Sequence, residues 1–120
     1  MKIGELAKQS GLTVHTIRYY ERIGLLPYAV RDKSRQRDYD VSILGWIQFL
    51  NRLKMTGMPI REILEYGNLR ERGAETAAQR QEMLKRHKKR IEHQMAELEA
   101  SLSALDVKIA LYDDIIRKGK

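Results

Sequence analysis

The 120-residue chain contains no cysteine. Disulfide bonds, thiolate metal ligands, cysteine nucleophiles and thiol redox sensing are therefore excluded. The chain also lacks an apolar run approaching the length of a membrane span, and the stretch MKIGELAKQSG has no apolar signal core. These absences predict a cytoplasmic protein that does not enter a membrane.

Glycine and proline are scarce in the second part of the chain. Both prolines and seven of the eight glycines precede residue 74, and only Gly119 follows. Glycine and proline mark turns between short elements, whereas a long stretch without them can continue as one helix. We therefore predict two domains, a compact one over 1–73 and a helical one over 74–120.

Negative charge is in deficit, with a net charge of +7 and a pI near 9.8. Residues 1–73 hold 13 Lys+Arg against 8 Asp+Glu, and residues 74–120 hold 10 against 8. This excess favours a polyanionic partner over an acidic small molecule. Charge alone leaves both nucleic acid and a membrane surface open.

The first elements predict a helix-turn-helix. Apolar residues at helical spacing occupy 3–9, Gly11 provides a turn of positive φ, and Thr13 is a suitable N-cap for a helix over 14–22. Ile17 and Tyr20 share the inner face of this second helix. The segment is therefore expected to pack as two short helices around a small core.

The outer face of the second helix carries Thr13, His15, Arg18 and Tyr19. In a helix-turn-helix this face enters the major groove, where Arg can bond guanine edges and hydroxyl groups can bond phosphates. An ordinary solvated polar face is the alternative interpretation of the same residues.

The stretch GLLPYAVRDKSRQRDYD predicts a basic hairpin. Four cations lie close together at its tip, namely Arg31, Lys33, Arg35 and Arg37. Tyr39 follows them and precedes an expected N-cap at Asp40. Beside a helix-turn-helix such a hairpin is a wing whose cations neutralise phosphates, with the Tyr39 hydroxyl as a further phosphate anchor. A merely soluble loop is the alternative.

Two further helices are predicted after the wing. One runs over about 41–54, Gly57 suits its C-terminal turn, and Pro59 suits the first turn of the next. Trp46 and Phe49 could line a ligand site, but we assign them to the core because so small a domain has little else to bury.

Three segments occur in this order: IGELAKQSGLTVHTIRYYERIGLL, RQRDY and LKMTGMPIREI. Together they resemble the MerR family of transcriptional regulators over about residues 1–70. The later YGNLRERGAET and the long helix are similar to the branch whose best-known members answer aldehydes or nitrosothiols. The resemblance implies a winged helix-turn-helix, a C-terminal dimerisation helix, and action with RNA polymerase on a promoter whose spacer is too long.

The resemblance also assigns DNA contacts position by position. Thr13, Thr16, Arg18 and Tyr19 match the recognition helix, Arg35, Arg37 and Tyr39 match the wing, and Lys54 matches a second turn near the phosphates. The chain departs from the family pattern at Arg35, where glycine is frequent, and in lacking the cysteines that bind metals or react with electrophiles in relatives. Sensing through cysteine, the commonest chemistry of the family, is therefore excluded, and the effector stays unknown.

The second domain carries an apolar seam with heptad spacing. Its members alternate at intervals of four and three, with Lys88 as the polar interruption; they are Leu84, Ile91, Met95, Leu98, Leu102, Leu105, Ile109, Tyr112 and Ile116. A stripe of roughly 50 Å requires a partner helix. A helix folded back on its own domain is the alternative.

Charge predicts the orientation of that pairing. Five of the six residues in KRHKKR, at 85–90, are Lys or Arg. Residues 91–116, in contrast, include six Asp or Glu and only one Lys or Arg, which is Lys108. An antiparallel dimer that crosses near 98–102 sets the basic block beside the partner's acids, whereas a parallel dimer stacks like charges. The predicted fold is therefore mainly α, a winged helix-turn-helix followed by a long antiparallel coiled-coil dimerisation helix.

Catalytic and metal sites are not predicted. The serines lack a matched base, His87 and His93 do not share a helical face, and His93 with Glu97 suits a surface pair. We therefore expect no enzyme and no cofactor, but a homodimeric regulator that distorts an inverted repeat in double-stranded promoter DNA. A DNA-architectural factor of the excisionase kind is the second hypothesis, and a coiled-coil adaptor is the third.

Overall fold

In the computed structural model, residues 1–27, 30–34 and 37–119 are described, with backbone only at positions 30 and 37. Helices dominate, and two short strands form a hairpin. The elements in chain order are α1 (Ile3–Ser10), α2 (Val14–Arg22), β1 (Val30–Arg31), β2 (Arg37–Asp38), α3 (Ile43–Met55), α4 (Ile60–Glu71), a 3-10 turn (Gly73–Thr76) and α5 (Ala77–Arg117).

The chain divides into two compact units, Met1–Gln81 and Glu82–Lys120. The first unit contains α1 to α4, the hairpin and the start of α5, and the second is the remainder of that helix. No helix within the described ranges combines the length and the apolar character that a membrane crossing needs.

The turn between α1 and α2 has the predicted chemistry. Gly11 ends α1 with φ 76°, a left-handed conformation that glycine adopts without a steric penalty. Thr13 caps α2, because its side chain accepts a hydrogen bond of 3.0 Å from the backbone N–H of Thr16. Both α2 and α3 pack against α1. The predicted helix-turn-helix is confirmed.

Strands β1 and β2 pair antiparallel, with Val30 opposite Asp38 and Arg31 opposite Arg37. The amino-terminal segment joins this hairpin through an isolated bridge between Lys2 and Asp38, and the Lys2 ammonium also pairs with the Asp32 carboxylate. We call the hairpin and its connection, residues 30–38, the wing. Its predicted tip residue Arg35 lies outside the described residues.

Helix α3 begins at Ile43, two residues later than the sequence suggested, and its N-cap is Ser42 rather than Asp40. The Asp40 carboxylate accepts a hydrogen bond of 2.9 Å from the backbone N–H of Ser42, so it closes the turn that leads into the helix. This bond lowers the pKa of Asp40 below its ordinary value.

The core of the first unit is apolar and aromatic. Leu6, Ile17 and Ile47 are fully buried, and the Trp46 ring stacks on Tyr66 with a centroid separation of 5.9 Å. The indole N–H of Trp46 donates to the Leu25 carbonyl at 2.8 Å. Trp46 therefore belongs to the core as predicted. Its neighbour Phe49 is half-buried at the edge of the same cluster.

Candidate nucleic-acid interface

The outward face of α2 presents hydrogen-bonding and aromatic side chains. Thr13, His15 and Arg18 are exposed, Thr16 is half-buried, and Tyr19 retains 41% of its surface. Ile17 and Tyr20 point to the opposite side and are 0% and 2% exposed. The helix therefore separates a core face from a polar face, as the sequence predicted.

Thr13 and Thr16 form a local pair at the start of α2. The Thr13 hydroxyl donates to the Thr16 hydroxyl oxygen at 2.9 Å and accepts from the Thr16 backbone N–H. One hydroxyl proton lies between the two oxygens, so the pair keeps the other proton for an acceptor such as a phosphate oxygen. The N-terminus of α2 also favours anions.

Arg22, one turn beyond Arg18, is a residue that the sequence analysis did not select. It is exposed, and its guanidinium carbon lies 5.6 Å from the centre of the Tyr19 ring. A cation over an aromatic face restrains both side chains. The spacing of three residues between Tyr19 and Arg22 was the available signal, because such residues are neighbours on a helix.

Lys54 lies beside the recognition helix although it belongs to α3. Its ammonium group donates to the Tyr20 hydroxyl at 3.1 Å and lies 5.7 Å from the centre of that ring. The side chain of Lys54 is exposed. The fold therefore places a cation from the last turn of α3 next to α2, where the sequence had suggested a phosphate contact.

Tyr39 has a different environment from the one expected. It is only 3% exposed, and its hydroxyl donates to the carboxylate of Glu21, which is 1% exposed. The sequence analysis expected this hydroxyl to anchor a phosphate, but the phenol bond joins the end of the wing to α2. The structure thus gives Tyr39 an internal role, and its phosphate contact stays a prediction.

The described part of the wing is cationic and accessible. Arg31 and Lys33 are exposed, and Asp32 between them accepts a hydrogen bond of 2.9 Å from the Ser34 backbone N–H. The backbone of Arg37 belongs to β2, while its side chain and all of Arg35 lie outside the described residues. Their predicted phosphate contacts stay predictions.

The seam of α5 is largely exposed in the single chain. Leu84 and Ile91 are half-buried, and seven members from 95 onward keep between 55% and 73% of their surface; these are Met95, Leu98, Leu102, Leu105, Ile109, Tyr112 and Ile116. The sequence analysis missed a second stripe, Val107, Leu111 and Ile115, which is 47–72% exposed. Its spacing of four residues was the signal.

Polar groups on α5 make local pairs. The His93 ring and the Glu97 carboxylate form an exposed pair at 2.8 Å, as predicted. An Arg90 guanidinium nitrogen lies 3.2 Å from His87 Nδ1. Within the described ranges, no three His, Cys, Asp or Glu residues are grouped so that they could hold a metal ion.

Family models account for most of the chain. The MerR family regulatory protein model matches residues 2–39, and the MerR DNA-binding model matches residues 44–107. The chain belongs to the MerR family. The first match spans α1, α2 and the wing, and the second spans α3, α4 and most of α5.

Individual relatives support this assignment. The HTH-type transcriptional regulator AdhR of Bacillus subtilis is 40% identical over 91 residues, which cover 76% of this chain and 65% of AdhR. A MerR family regulator from Listeria monocytogenes has a TM-score of 0.86 at 34% identity, with 94% of this chain and 86% of that one covered. Similarity to AdhR is consistent with the branch that the sequence resembled.

The structure of HiNmlR, a MerR family regulator lacking the sensor domain and bound to promoter DNA, has a TM-score of 0.82 at 30% identity. The match covers 94% of this chain and 90% of the HiNmlR chain. Taken with the family matches and the polar face of α2, this likeness identifies the chain as a DNA-binding transcriptional regulator rather than an architectural factor.

Proposed function

We propose that the protein binds an inverted repeat in promoter DNA as a homodimer held by antiparallel pairing of α5. The observation that carries this proposal is the seam of α5, whose members from Met95 to Ile116 are more than half exposed. Water-exposed apolar surface on this scale favours association, since burial contributes about 25 cal/mol per Å².

Charge supports the antiparallel orientation. The exposed cations Lys85, Arg86, Lys88, Lys89 and Arg90 occupy the first third of α5, and Asp106, Asp113 and Asp114 occupy its last third. Antiparallel pairing sets opposite charges together, whereas parallel pairing stacks the cations and brings Lys88 against its copy. The second stripe, Val107 to Ile115, gives the end of the helix further apolar surface.

Each α2 of the dimer then reads one half-site. Arg18 is exposed on the groove face and serves as the base-reading side chain, because its guanidinium can bond guanine O6 and N7. The phosphates that flank the base pairs bind a second set of side chains, namely Thr13, His15, Thr16, Tyr19, Lys54 and the wing residues Arg35 and Arg37. A two-fold axis between the subunits requires a two-fold operator.

Regulation follows from distortion of the promoter. In line with the family resemblance, we propose that the dimer twists a promoter whose spacer is too long, so that RNA polymerase engages it, and that the protein acts on this DNA in the cytoplasm. We infer control by a non-covalent ligand or by protein level, because the chain has no thiol.

Disulfide cross-linking tests the dimer cleanly, because the native chain has no cysteine. Ser101 lies near the proposed crossing point, so Ser101→Cys should form an intermolecular disulfide on mild oxidation. Lys88→Cys should not, because an antiparallel arrangement sets its copy roughly 35 Å away. Efficient cross-linking of Lys88→Cys without cross-linking of Ser101→Cys would refute the antiparallel model.

The DNA target is tested by sequencing fragments that the purified protein selects from genomic DNA. The proposal expects an inverted repeat whose footprint is centred in a promoter spacer. Selected fragments without an inverted repeat, or a footprint that lies outside a promoter spacer, would contradict the proposed target.

A further inference from the structure

Glu21 is an unexpected residue for a DNA-reading helix. It lies in the last turn of α2, is 1% exposed, and is one of two acids in 13–34, the other being Asp32. A carboxylate on this helix opposes a polyanion, and burying it is costly unless hydrogen bonds satisfy its oxygens. The residue therefore needs a structural reason.

One partner of the buried Glu21 carboxylate is Tyr39, which immediately follows β2. Its hydroxyl donates to Glu21 across eighteen positions of sequence, and both side chains are buried. Among the described residues, the wing is attached to α2 by the covalent connection that includes the buried Leu25 and Leu26, and by the Tyr39–Glu21 hydrogen bond.

The backbone of Tyr39 is held separately. Its N–H donates to the Met1 carbonyl at 2.6 Å, and its own carbonyl accepts from the Met1 ammonium at 2.8 Å. These bonds do not involve the phenol. Loss of the hydroxyl should therefore leave the chain path after β2 in place and release only the link to α2.

We propose that Glu21 and Tyr39 are positioning residues that set the wing against the recognition helix, so that both engage one DNA segment in a single register. The proposal rests on the proposed function, in which the wing contacts phosphates and α2 reads bases. The positioning role does not require either side chain to contact DNA. Both act through the placement of β2, which carries Arg37.

Glu21→Gln and Glu21→Leu form a matched pair for the test. Both variants remove the same negative charge, but Gln keeps an acceptor for the Tyr39 hydroxyl and Leu does not. We expect Glu21→Gln to bind operator DNA within about threefold of the parent and Glu21→Leu to bind about tenfold more weakly, with a salt slope shallower by about 1. Equal affinities and equal slopes for the two variants would overturn the proposal.

Tyr39→Phe tests the same bond from the other side, with Tyr66→Phe as a hydroxyl deletion elsewhere in the unit. Hydrogen exchange of the free protein should accelerate at the β1 and β2 amides in Tyr39→Phe and stay unchanged in Tyr66→Phe, while α3 amides stay protected in both. Unchanged exchange in the wing of Tyr39→Phe would overturn the proposal even if the affinity for DNA falls.

A double-mutant cycle separates this proposal from the proposed function. Arg37→Ala should weaken operator binding in the parent but have much less effect in the Tyr39→Phe background, because the wing is already displaced. Equal losses in both backgrounds would overturn the positioning role. If Arg37→Ala has no effect in the parent while exchange in the Tyr39→Phe wing rises, the positioning role is supported and the phosphate contact of Arg37 fails.

Discussion

The two compact units of this protein use their apolar residues in opposite ways. In Met1–Gln81, residues such as Leu6, Ile17 and Ile47 are fully buried, whereas in Glu82–Lys120 the seam from Met95 onward is more than half exposed. The first unit completes its own core. The second displays apolar surface that the single chain leaves in water, and we infer that a second copy covers it.

This difference has a simple geometric cause. Several short helices joined by turns can surround a common interior, so each covers the apolar face of another. One helix of 41 residues has no turn at which it could fold back on itself. Its stripe can therefore be buried only by another element, and the repeat of seven residues suits a partner helix.

The largest expected effect comes from a charge placed in the seam. Leu102→Asp would bring two carboxylates into the centre of the proposed dimer, where neither has a partner, so self-association should weaken by roughly 100-fold or more. Ser103→Asp is the control, since it adds the same charge on the neighbouring residue away from the seam. Sedimentation equilibrium measures both, and an unchanged Leu102→Asp dimer would contradict the pairing.

A second test truncates one aliphatic side chain in each unit. Ile47→Ala should cost about 2–5 kcal/mol in the free energy of unfolding of the first unit, because the fully buried side chain leaves a cavity. Leu102→Ala should lower stability only at protein concentrations where the dimer forms. Urea denaturation at several concentrations distinguishes them, and a Leu102→Ala loss that is independent of concentration would show an intramolecular contact.

A smaller difference is expected between two arginines within the first unit. Arg18→Ala should lose discrimination between operator and random DNA, on the order of 1–3 kcal/mol, because we propose that the Arg18 guanidinium reads a base. Arg37→Ala should weaken binding to both DNAs and flatten the salt slope. Anisotropy titrations over a salt series measure both, and equal losses on operator and random DNA for Arg18→Ala would remove its base-reading role.

The last prediction is that thiol-reactive compounds leave DNA binding unchanged. Neither unit contains a thiol, so DNA binding should not respond to formaldehyde-like electrophiles or nitrosothiols at doses that spare lysine. Gel-shift assays with and without each reagent provide the measurement. A prompt response that a thiol reductant reverses would contradict this prediction.

The sequence predicted the elements of the first unit well, but it did not reveal which distant side chains contact one another. Gly11 and Thr13 act locally, so the start of α2 followed from the chain itself, and Trp46 was correctly assigned to the core. Tyr39 illustrates the limit. A tyrosine beside basic residues suits a phosphate, but its burial against Glu21 depends on how the wing returns to α2.

Sequence alone determined the properties that depend on composition, which are the absence of thiol chemistry and the excess of positive charge. It also determined those that depend on local patterns, which are the helix-turn-helix and the continuous apolar seam of α5. These depend on residue type, turn chemistry and periodicity. Tertiary structure decided which distant groups meet, namely Lys54 with Tyr20 and Tyr39 with Glu21. Such pairs join positions 34 and 18 apart, and only the packing of α2, α3 and the wing brings them within hydrogen-bond distance.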